Sequence, residues 1–348
     1  MTASEPQQTV GSMSERQLLA SFTPILSEHN DRVNARGGSR LKLGPGDDCA
    51  AIDLNGGQTV ITCDTLTEGF DFRTRWPSGY RTTGFDLGYK AATQNLADVA
   101  SMGAEPMTIV VSVSLPAQTP AQWLPDFARG LVTSCNDQQA WHCTISGGDL
   151  GGSKELSITV TAVGLCTTAP VTRSGAGVSD VVAVSGRLGW AAAGLSLLDS
   201  TDYDPSDPAI SSLITAQTRP AGAMRAGISA ASCATAMMDV SDGLVRDAQR
   251  IAAASRVSID LDTQALARRA EKLLPAAEML AGPASAFDTA LTWVLSGGED
   301  HAMLACFAPG HVPEGFEVVG LCTSTSGSHE VTVDGKEPAA LGWDHFGA

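Results

Sequence analysis

The sequence predicts an α+β subunit built from two domains, and three observations carry that prediction. The chain has 348 residues, beyond the roughly 250–300 at which a single hydrophobic core stops growing. Hydrophobic residues make up 43% and charged residues 17%, enough to fill two cores and too apolar for a disordered chain. Strand-like and helical patterns alternate on both sides of a turn-rich segment, Pro170 to Asp180, which contains Arg173-Ser-Gly-Ala-Gly. The expected division is a flexible tail at 1–13, an N-terminal domain at 14–170 and a C-terminal domain at 171–348.

The elements follow from spacing. Ser14 can cap a helix to Glu28, with Leu18, Leu19, Phe22, Ile25 and Leu26 along one face. A Gly-rich loop (Leu43-Gly-Pro-Gly-Asp-Asp-Cys-Ala) leads to a strand, Thr59 to Cys63, ending at Asp64. Leu87 to Met102 reads as a helix, and Pro106 turns the chain into a strand at Thr108–Leu115. A helix over Ala121–Gln138 precedes a strand at His142–Ile145, which stops at Ser146-Gly-Gly-Asp149. The β-branched run Leu156–Leu165 closes this half. Beyond the boundary come a strand (Val181–Val184), an Ala-rich helix (Trp190–Leu198), a strand (Ala236–Val240) and a helix (Gly243–Ala254). A strand at Val257–Leu261, two short helices and a helix ending near Ser296 follow. Strands at His301–Phe307, Glu317–Leu321 and Val331–Val333 finish the chain.

Composition excludes several functions. The 22 Lys+Arg stand against 38 Asp+Glu, a formal net charge of -16, so nucleic acid is not an expected partner. No apolar run reaches the ~20 residues of a membrane span. The N-terminus lacks a basic region followed by an apolar stretch, and the eight cysteines form no CxxC pair. A reduced, cytoplasmic protein is the expectation. P-loop, HExxH and GxSxG motifs are absent, and the six histidines form no ligand-spaced pair. Each histidine therefore reads as solvated or structural.

The carboxylates are arranged rather than scattered. Asp47 and Asp48 lie in the Gly-Pro-Gly loop, and Asp64 and Asp149 sit at expected strand ends. Asp239 and Asp242 bracket a strand-to-helix turn, and Asp98 lies on a helix inside Gln94-Asn-Leu-Ala-Asp98. Carboxylates converging near Gly-rich turns repel one another unless cations bind between them. Oxygen ligands without His or Cys favour Mg²⁺ over Zn²⁺, and Mg²⁺ commonly completes its shell with phosphate oxygens. An enzyme acting on nucleotide phosphates follows. Any single Asp before a glycine is usually a turn former or a helix cap, so it is the set that points to function.

In order along the chain, Gly44-Pro-Gly-Asp-Asp-Cys-Ala, Thr62-Cys-Asp-Thr-Leu, Tyr89-Lys-Ala-Ala, Asn95-Leu-Ala-Asp-Val-Ala-Ser-Met-Gly-Ala and Ser146-Gly-Gly-Asp resemble the thiamine-monophosphate kinase family. So do Thr172-Arg-Ser-Gly-Ala, Asp239-Val-Ser-Asp-Gly, Leu295-Ser-Gly-Gly-Glu-Asp and Trp343-Asp-His-Phe. The resemblance spans about Glu15 to Phe346. It implies a homodimer whose N-terminal domains pair to form a β-barrel, a C-terminal α/β sandwich domain, and an active site in the cleft between domains. It implies transfer of the γ-phosphoryl of ATP to thiamine monophosphate, giving thiamine diphosphate, with several Mg²⁺ ions. By position, Asp48, Thr62, Cys63, Asp64, Asp98, Asp149, Asp239 and Asp242 correspond to the Mg²⁺ shell. Gly148, Asp149, Arg173 and Ser241 correspond to ATP-binding positions, and Glu299 and Trp343 to substrate positions. No general base is assigned, because the acceptor phosphate is largely dianionic at pH 7.

Two departures from the family pattern stand out. The family's usual His two residues beyond the glycine is replaced in Gly69-Phe-Asp71-Phe72, and Asp71 is a candidate to face the cationic thiazolium instead. Cys63 stands where Thr is common, which is harmless only if the backbone carbonyl makes the metal contact. The alternatives are another ATP-using enzyme of the same superfamily, such as an aminoimidazole-ribonucleotide synthetase, and a non-catalytic Mg²⁺- or nucleotide-binding protein.

Overall fold

The computed structural model describes residues 41–43, 47–48, 50–53, 57–120, 122–201, 207–325 and 330–344. The tail at 1–13 and the helix expected from Ser14 to Glu28 lie outside these residues. Two six-stranded sheets and nine helices form the described residues, an α+β architecture.

The first sheet contains β1 (Leu41–Leu43), β2 (Ala50–Asp53), β3 (Gln58–Thr67), β4 (Glu105–Leu115), β5 (Thr144–Gly152) and β6 (Ser157–Cys166), in the order β1-β2-β3-β6-β4-β5. Only β4 and β5 pair parallel. Helix α1 (Gly84–Ser101) packs on β3 and β6, and α2 (Trp123–Asp137) packs on α1. Thr83 starts α1 with a reciprocal capping box to Asp86. Their helices approach closely because Gly88 faces Phe127 and Gly130 faces Phe85. A Cβ on Gly88 would lie 2.1 Å from the Phe127 carbonyl oxygen.

The second sheet runs β12-β9-β11-β7-β10-β8, with β7 (Val181–Ser185), β8 (Ala234–Val240), β9 (Ser258–Leu261), β10 (Ala302–Phe307), β11 (Glu317–Thr323) and β12 (Val331–Val333). Its helices are α3 (Trp190–Leu198), α4 (Pro208–Thr218), α5 (Met224–Ala230), α6 (Leu244–Ser255), α7 (Thr263–Glu271), α8 (Leu274–Ala281) and α9 (Ala286–Ser296).

All six residues of β10 are buried, which is the mark of a strand covered on both faces. Ala302, Leu304 and Cys306 join the core beneath the C-terminal helices. Met303, Ala305 and Phe307 point the other way, into the core that also holds Leu87, Ala91 and Leu96 of α1. The two sheets are thus joined through α1, whose run of small and apolar residues permits burial on nearly every side.

The structure corrects several local expectations. Asp64 lies inside β3, which continues to Thr67, and Asp149 lies inside β5, which continues to Gly152. Parallel pairing to β4 carries the Gly-rich run through as strand despite its weak propensity. Strands β1 and β2 flank the Asp47–Asp48 loop where only loop was expected. Helices α4 and α5 were not anticipated, since α4 is Ser/Thr-rich and α5 spans only seven residues.

Candidate active site

Side chains from both sheets converge at one end of α1. Asp48 comes from the loop before β2, Asp98 from α1 and Asp239 from β8. Oxygens of these three carboxylates lie within 4.8 Å of one another. Thr62 and Asp64, two apart on β3, share a strand face. The Thr62 hydroxyl donates to Asp98 Oδ2 at 2.7 Å, and the Asp64 backbone N–H donates to Asn95 Oδ1 at 3.2 Å. Ser101, one helical turn beyond Asp98, donates to Asp48 Oδ2 at 2.6 Å.

This arrangement is electrostatically costly without a cation. Burial raises the carboxyl of Asp48 to about 6, and repulsion from Asp239 and Asp47 adds to it while Arg173 opposes it. Burial raises Asp98 well above the usual carboxylate range, reinforced by Asp64, Asp239 and Asp48. Asp64 is raised by burial, and Asp239 contributes in the same direction. Three clustered carboxylates, with the Thr62 and Ser101 hydroxyls beside them, form a hard donor set that fits Mg²⁺.

Cys63 falls on the opposite face of β3. Its side chain is exposed and its sulfur accepts from the Thr161 hydroxyl at 3.4 Å, so the thiol does not reach the cluster.

Arg173 arrives from the segment between the sheets. Its guanidinium pairs with Asp48, and its backbone N–H donates to Asp47 Oδ2 at 2.9 Å. Ser241 and Asp242 form the turn after β8. Both of their backbone N–H groups donate to Asp247 Oδ2, at 3.1 and 3.0 Å, and Arg250 bridges Asp242 and Asp247. Asp242 is therefore held by an arginine and stands apart from the three-carboxylate group.

A cleft of about 590 Å³ opens beside the cluster. Its lining includes Leu66, Gly69–Arg73, Trp76 and Gln94, with Ser241, Asp242, Gly297–Glu299, His301 and Ala340–Trp343 from the C-terminal half. Trp343, half exposed, is anchored at the rim by its backbone N–H to the Asp242 carbonyl at 2.8 Å. Asp71 lines the cleft, and its Oδ2 closes a turn by accepting the Thr67 N–H at 2.7 Å. Glu299 sits at a positive φ of 66°. Its Oε1 pairs with the buried Lys90 ammonium at 2.5 Å, and its Oε2 accepts from Gln217 at 2.7 Å. Burial pushes the Glu299 carboxyl up, but Lys90 and the Gln217 bond outweigh it and the net shift is downward.

Known proteins similar to this chain identify its family. Residues 46–166 match the family model described as AIR synthase related protein, N-terminal domain. A thiamine-monophosphate kinase of Mycobacterium tuberculosis is 39% identical over 307 residues, covering 88% of this chain and 86% of that one. The chain belongs to the thiamine-monophosphate kinase family. The Corynebacterium glutamicum family member is 34% identical over 321 residues, covering 90% of this chain and 91% of its own. Among solved structures, AaThiL complexed with AMPPCP and TMP superposes with a TM-score of 0.81 at 26% identity, covering 98% of this chain and all of that one.

Of the positions that match family motifs, the fold gathers Asp48, Thr62, Asp64, Asp98, Arg173 and Asp239 at the cluster. It places Asp71, Ser241, Asp242, Glu299 and Trp343 on the cleft. It does not bring Gly148 and Asp149 to either. Both are on β5, the exposed edge strand, with Asp149 opposite Ser112. Gly148 has a structural reason to be glycine, since a Cβ there would lie 1.7 Å from the Val111 carbonyl oxygen.

Sequence reasoning missed Lys90, Gln217, Asp247, Arg250 and His301. Lys90 stood inside a quoted motif, and His301 directly follows Ser-Gly-Gly-Glu-Asp, so their positions carried a signal. Arg250 stands three residues after Asp247 on α6, the spacing of a helix ion pair, whereas Gln217 carried no signal because its partner Glu299 is 82 positions away.

Proposed function

We propose that this chain phosphorylates thiamine monophosphate with ATP, giving thiamine diphosphate and ADP, in the cleft between the two sheets. One observation carries the reading to these residues: three clustered carboxylates from both halves of the fold meet beside a cleft of ligand size. AMPPCP, with a methylene in place of the β–γ bridging oxygen, stands for ATP in the related complex, and its TMP stands for the acceptor.

Asp48, Asp98 and Asp239 would hold Mg²⁺, with Asp64, the Thr62 hydroxyl and the Cys63 carbonyl beside them. Bound Mg²⁺ supplies charge neutralisation on the phosphate oxygens. Arg173 is positioned to fork onto nucleotide phosphate, a bidentate role that the point charge of Lys fills less well. Ser241 and Asp242, rigidified through Asp247 and Arg250, present a fixed turn to the nucleotide. Trp343 offers an aromatic face to the cationic heterocycle of the acceptor, and Asp71 and Glu299 offer negative charge beside it. Phosphoryl transfer leaves little covalent work to the protein, so holding two phosphate groups in line is its main contribution.

We also propose a homodimer in which the first sheets close into a barrel. Met107, Val110, Ile145, Leu150 and Leu165 are exposed on β4, β5 and β6, and β5 offers an unpaired edge. An exposed apolar sheet with a bare edge is a surface built for a partner. In that assembly Gly148 and Asp149 lie at the interface and act at the nucleotide. The division at about residue 170 separates the barrel-forming domain from the C-terminal sandwich. Among the described residues no helix is long and apolar enough to cross a membrane, and a cytoplasmic location fits the substrates.

Purified protein incubated with ATP, Mg²⁺ and thiamine monophosphate should yield equal amounts of thiamine diphosphate and ADP by chromatography. A parallel reaction with free thiamine should yield none. ATP·Mg²⁺ binding without turnover would overturn the assignment.

A further inference from the structure

None of the roles above uses His301, although it is among the most enclosed polar residues of the cleft. Its side chain is 2% exposed, as is that of Asp239, and its Nδ1 lies 2.9 Å from Asp239 Oδ2. Its Nε2 is buried with no hydrogen-bond partner among the described residues. The ring forms part of the cleft wall beside Glu299 and Gln94.

The backbone is committed to this placement. His301 adopts a left-handed φ of 51°, unfavourable for a residue with a Cβ. Two bonds hold it there: its N–H donates to the Val240 carbonyl at 3.0 Å, and its carbonyl accepts from the Ala223 N–H at 3.1 Å. The preceding residue, Asp300, is fixed by accepting the backbone N–H groups of Gly189 and Ala191 at 2.5 and 2.9 Å. The Glu299-Asp300-His301 turn is therefore rigid from both ends.

An ionised carboxylate can only accept, so the ring donates to Asp239 from Nδ1. A histidine needed only for packing would not leave a buried nitrogen unsatisfied, because an apolar side chain would fill the same space without that cost.

We propose that His301 is a positioning residue for the cation site: its Nδ1–H fixes the Asp239 carboxylate within the Asp48–Asp98–Asp239 group. A carboxylate carries two equivalent oxygens on a freely turning bond. Pinning one of them sets the direction of the other and removes a rotation that cation binding would otherwise have to freeze. Second-layer hydrogen bonds of this kind commonly change metal affinity by 10–100-fold. The proposal rests on the reading of Asp239 as a cation ligand.

The test uses the full-length protein without nucleotide and Mn²⁺ as the probe, with free Mn²⁺ followed by electron paramagnetic resonance. Four variants are compared with wild type: Asp239→Asn, His301→Ala, His301→Asn and His301→Gln. Asparagine places an N–H near the position of Nδ1, whereas the longer glutamine amide overshoots it. The expected result is a loss of Mn²⁺ affinity of about 10-fold or more in Asp239→Asn, His301→Ala and His301→Gln. His301→Asn should stay within about threefold of wild type, since it keeps the donor. Melting temperatures report folding of each variant, and the Asn–Gln contrast remains decisive if the alanine variant does not fold. A purely structural histidine would make both amide variants bind Mn²⁺ equally, and that result overturns the proposal. Wild-type Mn²⁺ binding in Asp239→Asn would instead overturn the cation assignment itself, and the positioning role with it.

Discussion

Replacing Lys90 with methionine isolates the contact that ties α1 to the Ser-Gly-Gly-Glu turn. The Lys90 side chain is 3% exposed and that of Glu299 33%, with 2.5 Å between their charged atoms. Methionine keeps most of the aliphatic volume and removes only the ammonium, leaving Glu299 charged and half-partnered. Removing one member of a buried pair costs about 3–5 kcal/mol. Glu299 is one-third exposed and keeps its bond from Gln217, so the lower end applies, about 3 kcal/mol. With an unfolding entropy of about 2.1 cal/mol/K per residue, that corresponds to a melting temperature lower by about 4 °C.

The pH dependence has a definite sign. Wild-type Glu299 titrates below its ordinary 4.5. Its pairing therefore contributes stability that is present above about pH 4.5 and is lost as pH falls through the folded value. The gap between wild type and Lys90→Met should be widest near pH 7 and close toward pH 4. A second change, Glu299→Gln, made in the methionine background should restore at least half of the loss by removing the stranded charge. Thermal melts at pH 4, 5.5 and 7 measure all three. A variant melting within 1 °C of wild type at pH 7, or a gap undiminished at pH 4, would refute the reasoning.

Gly88→Ala gains about 1 kcal/mol of helix propensity but drives a Cβ to 2.1 Å from the Phe127 carbonyl oxygen. Overpacking wins, and urea denaturation should show a net loss of about 2 kcal/mol. Thr62→Val removes the donor to Asp98 Oδ2 while keeping the shape. It should raise the Mg²⁺ concentration for half-maximal rate by several-fold and leave the melting temperature of the metal-free protein nearly unchanged. Arg173→Lys keeps charge but loses the fork, and the KM for ATP should rise by about 10-fold, equivalent to about 1.4 kcal/mol. An unchanged KM would remove Arg173 from the nucleotide site. Asp48, Asp64 and Asp98 all titrate above 3.8 in the folded chain. The metal-free fold therefore holds protons that the unfolded chain has lost, so its stability should fall as pH rises from about 4 through about 6. Mg²⁺ binding must displace those protons, so the melting-temperature gain from Mg²⁺ over EDTA should grow across the same range. A gain constant with pH would count against these three as ligands.

Much of the site was legible in the sequence because its chemistry is local. Gly-Pro-Gly-Asp-Asp, Asp239-Val-Ser-Asp and Ser-Gly-Gly-Glu-Asp each put carboxylates beside glycines, and short-range spacing is what a sequence displays directly. The strands and helices with clear periods, β3, β4, β6, α1 and α6, were legible for the same reason. The helix expected from Ser14 to Glu28 lies outside the described residues. Strand β5 misled: Ser146-Gly-Gly-Asp-Leu-Gly-Gly has the composition of a loop, and only pairing with β4 makes it a strand.

What the tertiary structure alone decided is which residues meet. Asp48, Asp98 and Asp239 are separated by 50 and 141 positions along the chain, and nothing in their local sequence says that α1 and β8 bring them within one cation's reach. The side of β3 on which Cys63 falls follows from strand alternation only once Asp64 is known to lie inside the strand. Lys90 has no role assigned by the sequence until α1 is found buried between two sheets, where an ammonium must be paired. His301 reads as one more isolated histidine until the left-handed turn carries its ring to Asp239. Sequence fixes the chemical groups and their local geometry, whereas the desolvation that raises a carboxyl, pairs a lysine or strands a ring nitrogen exists only after distant segments have packed.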